Sequence, residues 1–253
     1  KHNDVVGERT SRASSDDLAN ILYTSGTTGE PKGVLLHHFN YYEIIRIHDI
    51  RLTTMTDEDV SMSFLPLTHV FERAWSYYCL HKGTIVCLNL RPAEIASTIK
   101  EVRPTLMCSV PRFWEKVYAG VNEKITSESG FKRKLMLDAI RVGKIHNVDY
   151  LRVGKRPPLG IRLKYMFYEK TVYALLKKTI GLENGKFFPV AGAAVPDEIC
   201  EFCHAVGINM KVGYGLTESC ATVSCFPDDS FELGSVGKIM PDVQVKIGEN
   251  NEI

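Results

Sequence analysis

Short apolar runs of strand length alternate along this chain with segments of helical period, and that alternation narrows the folds open to it. Val60–Leu67, Thr84–Leu88, Thr105–Ser109 and Met210–Val212 are short and apolar, as is the run through Phe187-Phe188-Pro189-Val190. Between them, 39–50, Trp75–Leu80, Ala93–Glu101 and Pro111–Lys124 read as helices. After Pro196-Asp197-Glu198, a helix-start pattern, Ile199, Phe202, Cys203 and Val206 fall on one helical face. Strands alternating with helices predict an α/β fold with a largely parallel sheet and flanking helices. The 253 residues suffice for one large domain or two smaller ones, and no internal repeat is visible.

One loop concentrates the chemistry. Thr24-Ser25-Gly26-Thr27-Thr28-Gly29-Glu30-Pro31-Lys32-Gly33 holds three glycines, four hydroxyls and one lysine. It stands between the apolar runs Ile21-Leu22-Tyr23 and Val34-Leu35-Leu36, a strand–loop–strand over 19–37. Glycines let backbone amides turn inward, and hydroxyls and an ammonium add compact donors, so the loop suits the oxygens of a polyphosphate. It is not a Walker loop: Lys32 follows Pro31, and Gly33 stands where a magnesium-binding Ser or Thr belongs. A Gly/Thr-rich stretch alone would read as a surface linker. The buried-strand flanks and the rigid Pro-Lys-Gly ending favour the binding reading.

Composition sets outer limits. A hydrophobic content of 44% and a charged content of 24% are those of an ordinary globular protein. No apolar run approaches the ~20 residues that span a bilayer, and the start has no signal-peptide pattern. The chain does not begin with Met. Val243–Ile247 reads as the first strand of a hairpin whose partner would follow Glu252-Ile253, so an excised piece of a longer protein is expected. Seven scattered cysteines imply a reduced, cytoplasmic setting. Cys200-Glu-Phe-Cys203-His204 matches a haem-attachment pattern, but its helical context makes both cysteines small core residues.

Residues 1–17 are polar and lack periodicity, so a loose N-terminal segment is expected before a domain over 18–253. Residues 131–178 differ in character: thirteen Lys or Arg against three acids, a net +10 in a chain whose total is +1. They read as two long helices broken near Gly154–Gly160, a helical insertion over about 120–180. The second helix is apolar and aromatic, with Leu163, Tyr165, Met166, Phe167, Tyr173, Leu175 and Leu176. It covers a local core with a solvated outer face, or it docks on an anionic membrane surface. Nucleic acid is a poorer partner, because the rest of the chain is acidic and carries no nucleic-acid motif.

Two later strand ends are rich in small or polar residues. Ala191-Gly192-Ala193-Ala194 lets a flat ligand approach the backbone. In Gly213-Tyr214-Gly215-Leu216-Thr217-Glu218 an aromatic between glycines can lie against a base, and a Thr-Glu pair can meet phosphate and magnesium. Each alone is more often structural, as is a lone histidine such as His69.

Taken in order, Tyr23–Gly33 (YTSGTTGEPKG), Leu65-Pro66-Leu67-Thr68-His69, Ala191–Pro196, Tyr214–Glu218 and Gly234-Ser-Val-Gly237 resemble the adenylate-forming superfamily. Phe64–Arg73, Pro111–Lys116 and the basic insertion look most like its long-chain fatty acid–CoA ligase branch. The resemblance implies the central part of a large N-terminal AMP-binding domain, with the ribose-binding aspartate, the hinge and the C-terminal lid lysine absent. It implies a fatty acid, ATP with Mg²⁺, and coenzyme A as small-molecule partners. It implies that Thr24, Ser25, Gly26, Thr27, Thr28, Gly29 and Lys32 cradle the β- and γ-phosphates, and that Gly192, Ala193 and Ala194 line the adenine and acyl-carbonyl site. Tyr214, with Gly215 beside it, would stack on adenine, and Thr217 would contact the α-phosphate. Glu218, with Thr24, would hold Mg²⁺, and His69 would sit between acyl pocket and adenylate. Lys32, His69, Thr217 and Glu218 are thus the catalytic candidates. The 253 residues alone are expected not to complete adenylation. A ligase for medium-chain or aryl acids and a non-catalytic adenylate-binding module are the alternatives.

Overall fold

Burial on both faces turns the apolar runs into central strands. In the computed structural model, which describes residues 2–24 and 29–253, Met62, Leu106, Val190 and Met210 are wholly buried. Strand β3 (Val60–Ser63) pairs in parallel with β4 (Ile85–Leu88), Val60 opposite Ile85. Strand β5 (Phe188–Val190) pairs in parallel with β6 (Met210–Tyr214). Thr105–Ser109, expected as a strand, runs between β3 and β5 but makes only single parallel bridges, Ser61 to Leu106, Leu106 to Phe187 and Ser109 to Val190. Its amides still alternate sides: Leu106 N–H donates to Val60 O at 3.1 Å and Ser109 N–H to Pro189 O at 2.9 Å. The resulting order is β4, β3, the 105–109 segment, β5, β6, β7 (Ser224–Cys225) and β8 (Lys238–Ile239), the last two antiparallel. A sheet parallel through β6 and covered by helices matches the α/β expectation.

The hairpin of β1 (Leu18–Thr24) and β2 (Lys32–His37) is a separate antiparallel pair, with Thr24 opposite Lys32. Leu22 and Leu36 anchor it in a cluster with Tyr41, Ile44 and Ile47 of α2 (His38–Arg51), Val70 of α3 (Val70–Lys82), Ala221 and Cys225. The main core joins β3, β5 and β6 to α5 (Pro111–Ser127), α6 (Gly130–Gly143) and α9 (Asp197–Ala205) through Trp114, Ala139, Phe188 and Phe202. Cys200 and Cys203 lie in this core, as their helical spacing predicts, and burial pushes the Cys200 thiol up to about 12. Helix α4 (Ile95–Val102) follows β4.

Several expectations change. Residues 1–17 are not without order: α1 (His2–Arg12) is helical, with residues 4–12 exposed. No apolar face forms it. The Glu8–Arg12 ion pair at 2.6 Å, Asp4 in the first turn and Arg9 and Arg12 in the last turn are local stabilisers that apolar periodicity does not register. Strand β3 stops at Ser63, short of the end of the Val60–Leu67 run, and the chain then turns: His69 N–H donates to Pro66 O at 2.9 Å just before α3. Val243–Ile247 is not a strand, since it has no ladder partner among the described residues.

The basic segment does form two long helical stretches. Helix α6 continues through a π-helical stretch, Lys144–Tyr150, to a break at Gly154. Helix α7 (Leu159–Tyr168) continues through a π-turn, Glu169–Tyr173, into α8 (Ala174–Ile180).

Candidate functional site

The carboxyl ends of the parallel strands open on one cavity of about 340 Å³. Leu65 and His69 follow β3, Val110 follows the 105–109 segment, Ala191 and Gly192 follow β5, and Gly213–Thr217 end and follow β6. In an open α/β sheet this edge is where connections part and leave a crevice. One wall is apolar: Leu52, Leu65, Phe71, Trp75, Val110 and Val190. Trp75 is held there by its indole N–H, which donates to Ser61 Oγ at 2.9 Å.

The polar part of the rim is tightly built. Tyr214 and Thr217 are half-buried and line the cavity. A Cβ on Gly215 would lie 1.3 Å from Ala221 O, so only glycine lets the two backbones pass. Cys220 and Ala221 take φ of 51° and 88°, conformations that non-glycine residues hold only under constraint from their surroundings. That constraint is visible: Val223 N–H donates to Tyr214 O at 2.8 Å and Ala221 N–H to Leu216 O at 3.1 Å. Ser219 Oγ accepts from Leu216 N–H at 3.0 Å, closing a 3₁₀ turn, Thr217–Ser219, that carries Glu218 on its exposed side.

Three polar groups, the half-buried His48 and the buried Lys211 and Glu72, brace the cavity. His48 Nδ1 lies 2.6 Å from Ile44 O, which can only accept, so Nδ1 carries the proton and Nε2 accepts from Thr222 Oγ at 3.2 Å. Burial pushes the His48 pKa down, consistent with a neutral ring. Thr222→Val should therefore cost about 0.5–1.5 kcal/mol, the net worth of one hydrogen bond, read from urea denaturation. Lys211, 2% exposed, lies 3.0 Å from Asp228 and 5.3 Å from the Phe187 ring centre. Burial lowers its pKa, and the Asp228 carboxylate partly restores it. Glu72 of α3 is fully buried, and its carboxyl accepts from Leu65 N–H at 3.3 Å, fixing the 64–69 turn to the helix. Burial pushes that carboxyl up to about 7, further than the Ser63 hydroxyl and the Leu65 amide pull it down.

A sequence profile of AMP-binding enzymes matches residues 1–252. The chain belongs to the AMP-binding enzyme family. Long chain acyl-CoA synthetase 4 of Arabidopsis thaliana is 30% identical over 238 residues, 91% of this chain and 34% of that protein. A chloroplastic long-chain-fatty-acid–[acyl-carrier-protein] ligase of the same plant, AEE15, is 29% identical over 268 residues, 97% of this chain and 36% of its own length. The chain thus spans about a third of the length of these relatives. Among solved structures, O-succinylbenzoate coenzyme A synthetase of Bacillus subtilis, in complex with ATP and a magnesium ion, superposes with a TM-score of 0.62 at 20% identity. That match covers 95% of this chain and 39% of the other. The likeness establishes the fold: the α/β architecture is that of the N-terminal part of adenylate-forming enzymes.

The sequence-predicted residues divide into groups. His69, Gly192, Tyr214, Gly215 and Thr217 converge on the cavity. Glu218, Ala193 and Ala194 are exposed and do not line it; Glu218 adjoins Thr217 and Ala193 adjoins Gly192, both lining residues, whereas Ala194 is one residue further away. Thr24, Gly29 and Lys32 also stand outside the lining, Lys32 exposed at the start of β2. Ser25, Gly26, Thr27 and Thr28 lie outside the described residues. Leu22 and Leu36 nevertheless root the hairpin in the cluster that holds Val70 and Ala221, both cavity-lining.

His48, Glu72, Lys211 and Thr222 are absent from the sequence-derived set. The signal for Lys211 is a charge inside Met210-Lys211-Val212; for Glu72 it is an acid three residues past His69. Nothing local marks His48 or Thr222.

Proposed function

We propose that this chain supplies the nucleotide- and acyl-binding part of a fatty acid–CoA ligase. In the reaction, a fatty-acid carboxylate oxygen attacks the α-phosphorus of ATP and pyrophosphate leaves, giving an acyl-adenylate. The coenzyme A thiol then attacks the acyl carbon, AMP departs, and a thioester remains. The first step joins an anion to a polyanion, so it needs positioning and charge neutralisation more than covalent help.

The observation that carries the reading is a single cavity pairing the Tyr214–Thr217 rim with the wall of Leu65, Phe71 and Trp75. A nucleotide head on the rim and an acyl chain along the wall would meet beside Gly192 and His69. Tyr214 stacks on adenine, Thr217 contacts the α-phosphate, and Ala193 and Ala194 flank the acyl carbonyl. The loop Thr24–Gly29 with Lys32 grips the outer phosphates. Glu218 and Thr24 would hold Mg²⁺, which would neutralise charge on the phosphates; the exposed Glu218 carboxylate follows the cavity-lining Thr217, and a single carboxylate fits a metal that takes most of its ligands from phosphate and water. A carrier-protein thiol is the second candidate acceptor, favoured by the likeness to the plant acyl-carrier-protein ligase.

Calorimetric titration of the chain with Mg·ATP tests the nucleotide half. Saturable binding is expected. Tyr214→Ala should weaken it by about 1–3 kcal/mol, the worth of one stacked base, and Lys32→Ala by roughly 1.5–3 kcal/mol, that of a charged hydrogen bond. Binding indifferent to both changes would remove the nucleotide from this cavity.

A further inference from the structure

Helix α7 is apolar on two sides, and the fold uses only one. Its inner side packs on the main core: Tyr168 is buried, Ile161 and Tyr165 lie against the core, Tyr165 stacks on His146 at 3.9 Å, and Tyr168 O–H donates to Asp138 at 2.8 Å. On the other side Leu159, Leu163, Met166 and Phe167, spaced by three and four, are 52–67% exposed. Arg162 and Lys164 also lie on α7, Lys164 3.5 Å from Asp138, so the exposed side is a limited apolar stripe, the kind of patch that marks a contact with another apolar phase.

Cations frame this stripe. Lys155 and Arg156 precede α7 and Lys170 follows Phe167 by one helical step. Lys132, Arg133 and Lys134 open the neighbouring α6, where Phe131 is 78% exposed. All six cations are exposed and none has an ion-pair partner among the described residues. Elsewhere in the segment the fold does pair its charges, Lys144 with Glu201 at 2.9 Å and Arg152 with Glu232 at 2.6 Å. Segment 131–178 therefore keeps a concentrated positive charge around outward apolar side chains, while the remainder of the chain is net negative.

We propose that the outer face of α7, with the start of α6, docks this protein on an anionic lipid bilayer. Leu159, Leu163, Met166 and Phe167 enter the acyl boundary, and Lys155, Arg156 and Lys170 meet lipid phosphates and carboxylates. Among the described residues no helix is long and apolar enough to cross a membrane, so α7 lies on the surface. The acidic remainder turns the rest of the molecule away from the lipid and sets its orientation. This assignment stands apart from the ligase reading, since it uses no residue of the cavity.

Co-sedimentation of the 253-residue chain with vesicles of phosphatidylcholine plus phosphatidylserine, against phosphatidylcholine alone, is the test. Sedimentation is expected with the anionic vesicles and should fade as salt is raised. Arg156→Gln/Lys170→Gln should weaken it about 25-fold, the loss of roughly 1 kcal/mol per cation. Leu163→Ser/Phe167→Ser should release the protein from the vesicles. Both pairs are exposed, and circular dichroism should show unchanged helix content. Equal partition to neutral vesicles, or double variants that sediment like the parent, would overturn the proposal. So would light scattering that shows a dimer broken by Leu163→Ser/Phe167→Ser with no vesicle binding, which would assign the face to a second copy.

Discussion

Gly215→Ala should lower the unfolding free energy by roughly 3 kcal/mol and abolish Mg·ATP binding. The added methyl would stand 1.3 Å from Ala221 O, a backbone atom that cannot rotate away. Overpacking usually costs about 1–3 kcal/mol, and the upper end applies when backbone must move. The strand of loop that would move already holds Cys220 and Ala221 at positive φ, tied back to Leu216 and Tyr214 by amide hydrogen bonds. Relief of the clash would displace Tyr214 or Thr217 from the cavity rim. Gly120→Ala is the matched control. Gly120 lies within α5, and a Cβ there meets nothing within 4 Å. It should stabilise by up to about 1 kcal/mol, because alanine restricts the unfolded chain. Denaturation of both variants, with titration by Mg·ATP, separates a steric effect at the rim from a general intolerance of substitution.

Glu72→Gln should have little effect on stability at pH 5 and raise it by about 3 kcal/mol at pH 8. The sign follows from the direction of the shift. The folded carboxyl holds its proton to about pH 7, whereas the unfolded one releases it near the ordinary value of 4.5. Between those values the folded state binds more protons, so stability falls as pH rises. The gap of about 2.5 pKa units corresponds to about 3 kcal/mol, spent by pH 7 and constant above it. Glutamine has the shape of the protonated acid and no charge to bury. His204 pulls the other way: burial depresses its imidazole to about 3, so its contribution is lost as pH falls below 6.5. The difference between variant and parent cancels that background. An equal difference at pH 5 and pH 8 would mean that the Glu72 carboxyl is not held protonated.

Most elements are legible because their causes are local. Helices α2, α3, α5 and α9 follow apolar spacing. The β1–β2 hairpin follows from two apolar runs around a glycine-rich turn, and the segment 131–178 breaks where its glycines and prolines stand. The failures have physical causes too. Helix α1 rests on side-chain pairs and end charges, not on apolar period. Val243–Ile247 alternates as a strand should, but a strand exists only through its neighbour. From α7 through α8 the spacing marks an apolar helix without saying which side the core takes: Tyr165, Tyr173 and Leu176 go in, and Leu163, Met166, Phe167 and Leu175 stay out.

From its sequence alone this protein determines an α/β chain, a glycine–hydroxyl turn between two strands, and the residue types at the ends of β5 and β6. Those follow from short-range rules of period, turn chemistry and backbone freedom. Tertiary structure alone decides that His69, Gly192, Tyr214 and Thr217 share a cavity, that Thr222 hydrogen-bonds His48 across 174 positions, and that Glu72 keeps a proton under the 64–69 turn. Burial and long-range contact set the protonation of a buried side chain and the partner it meets, and neither quantity is a property of neighbouring residues.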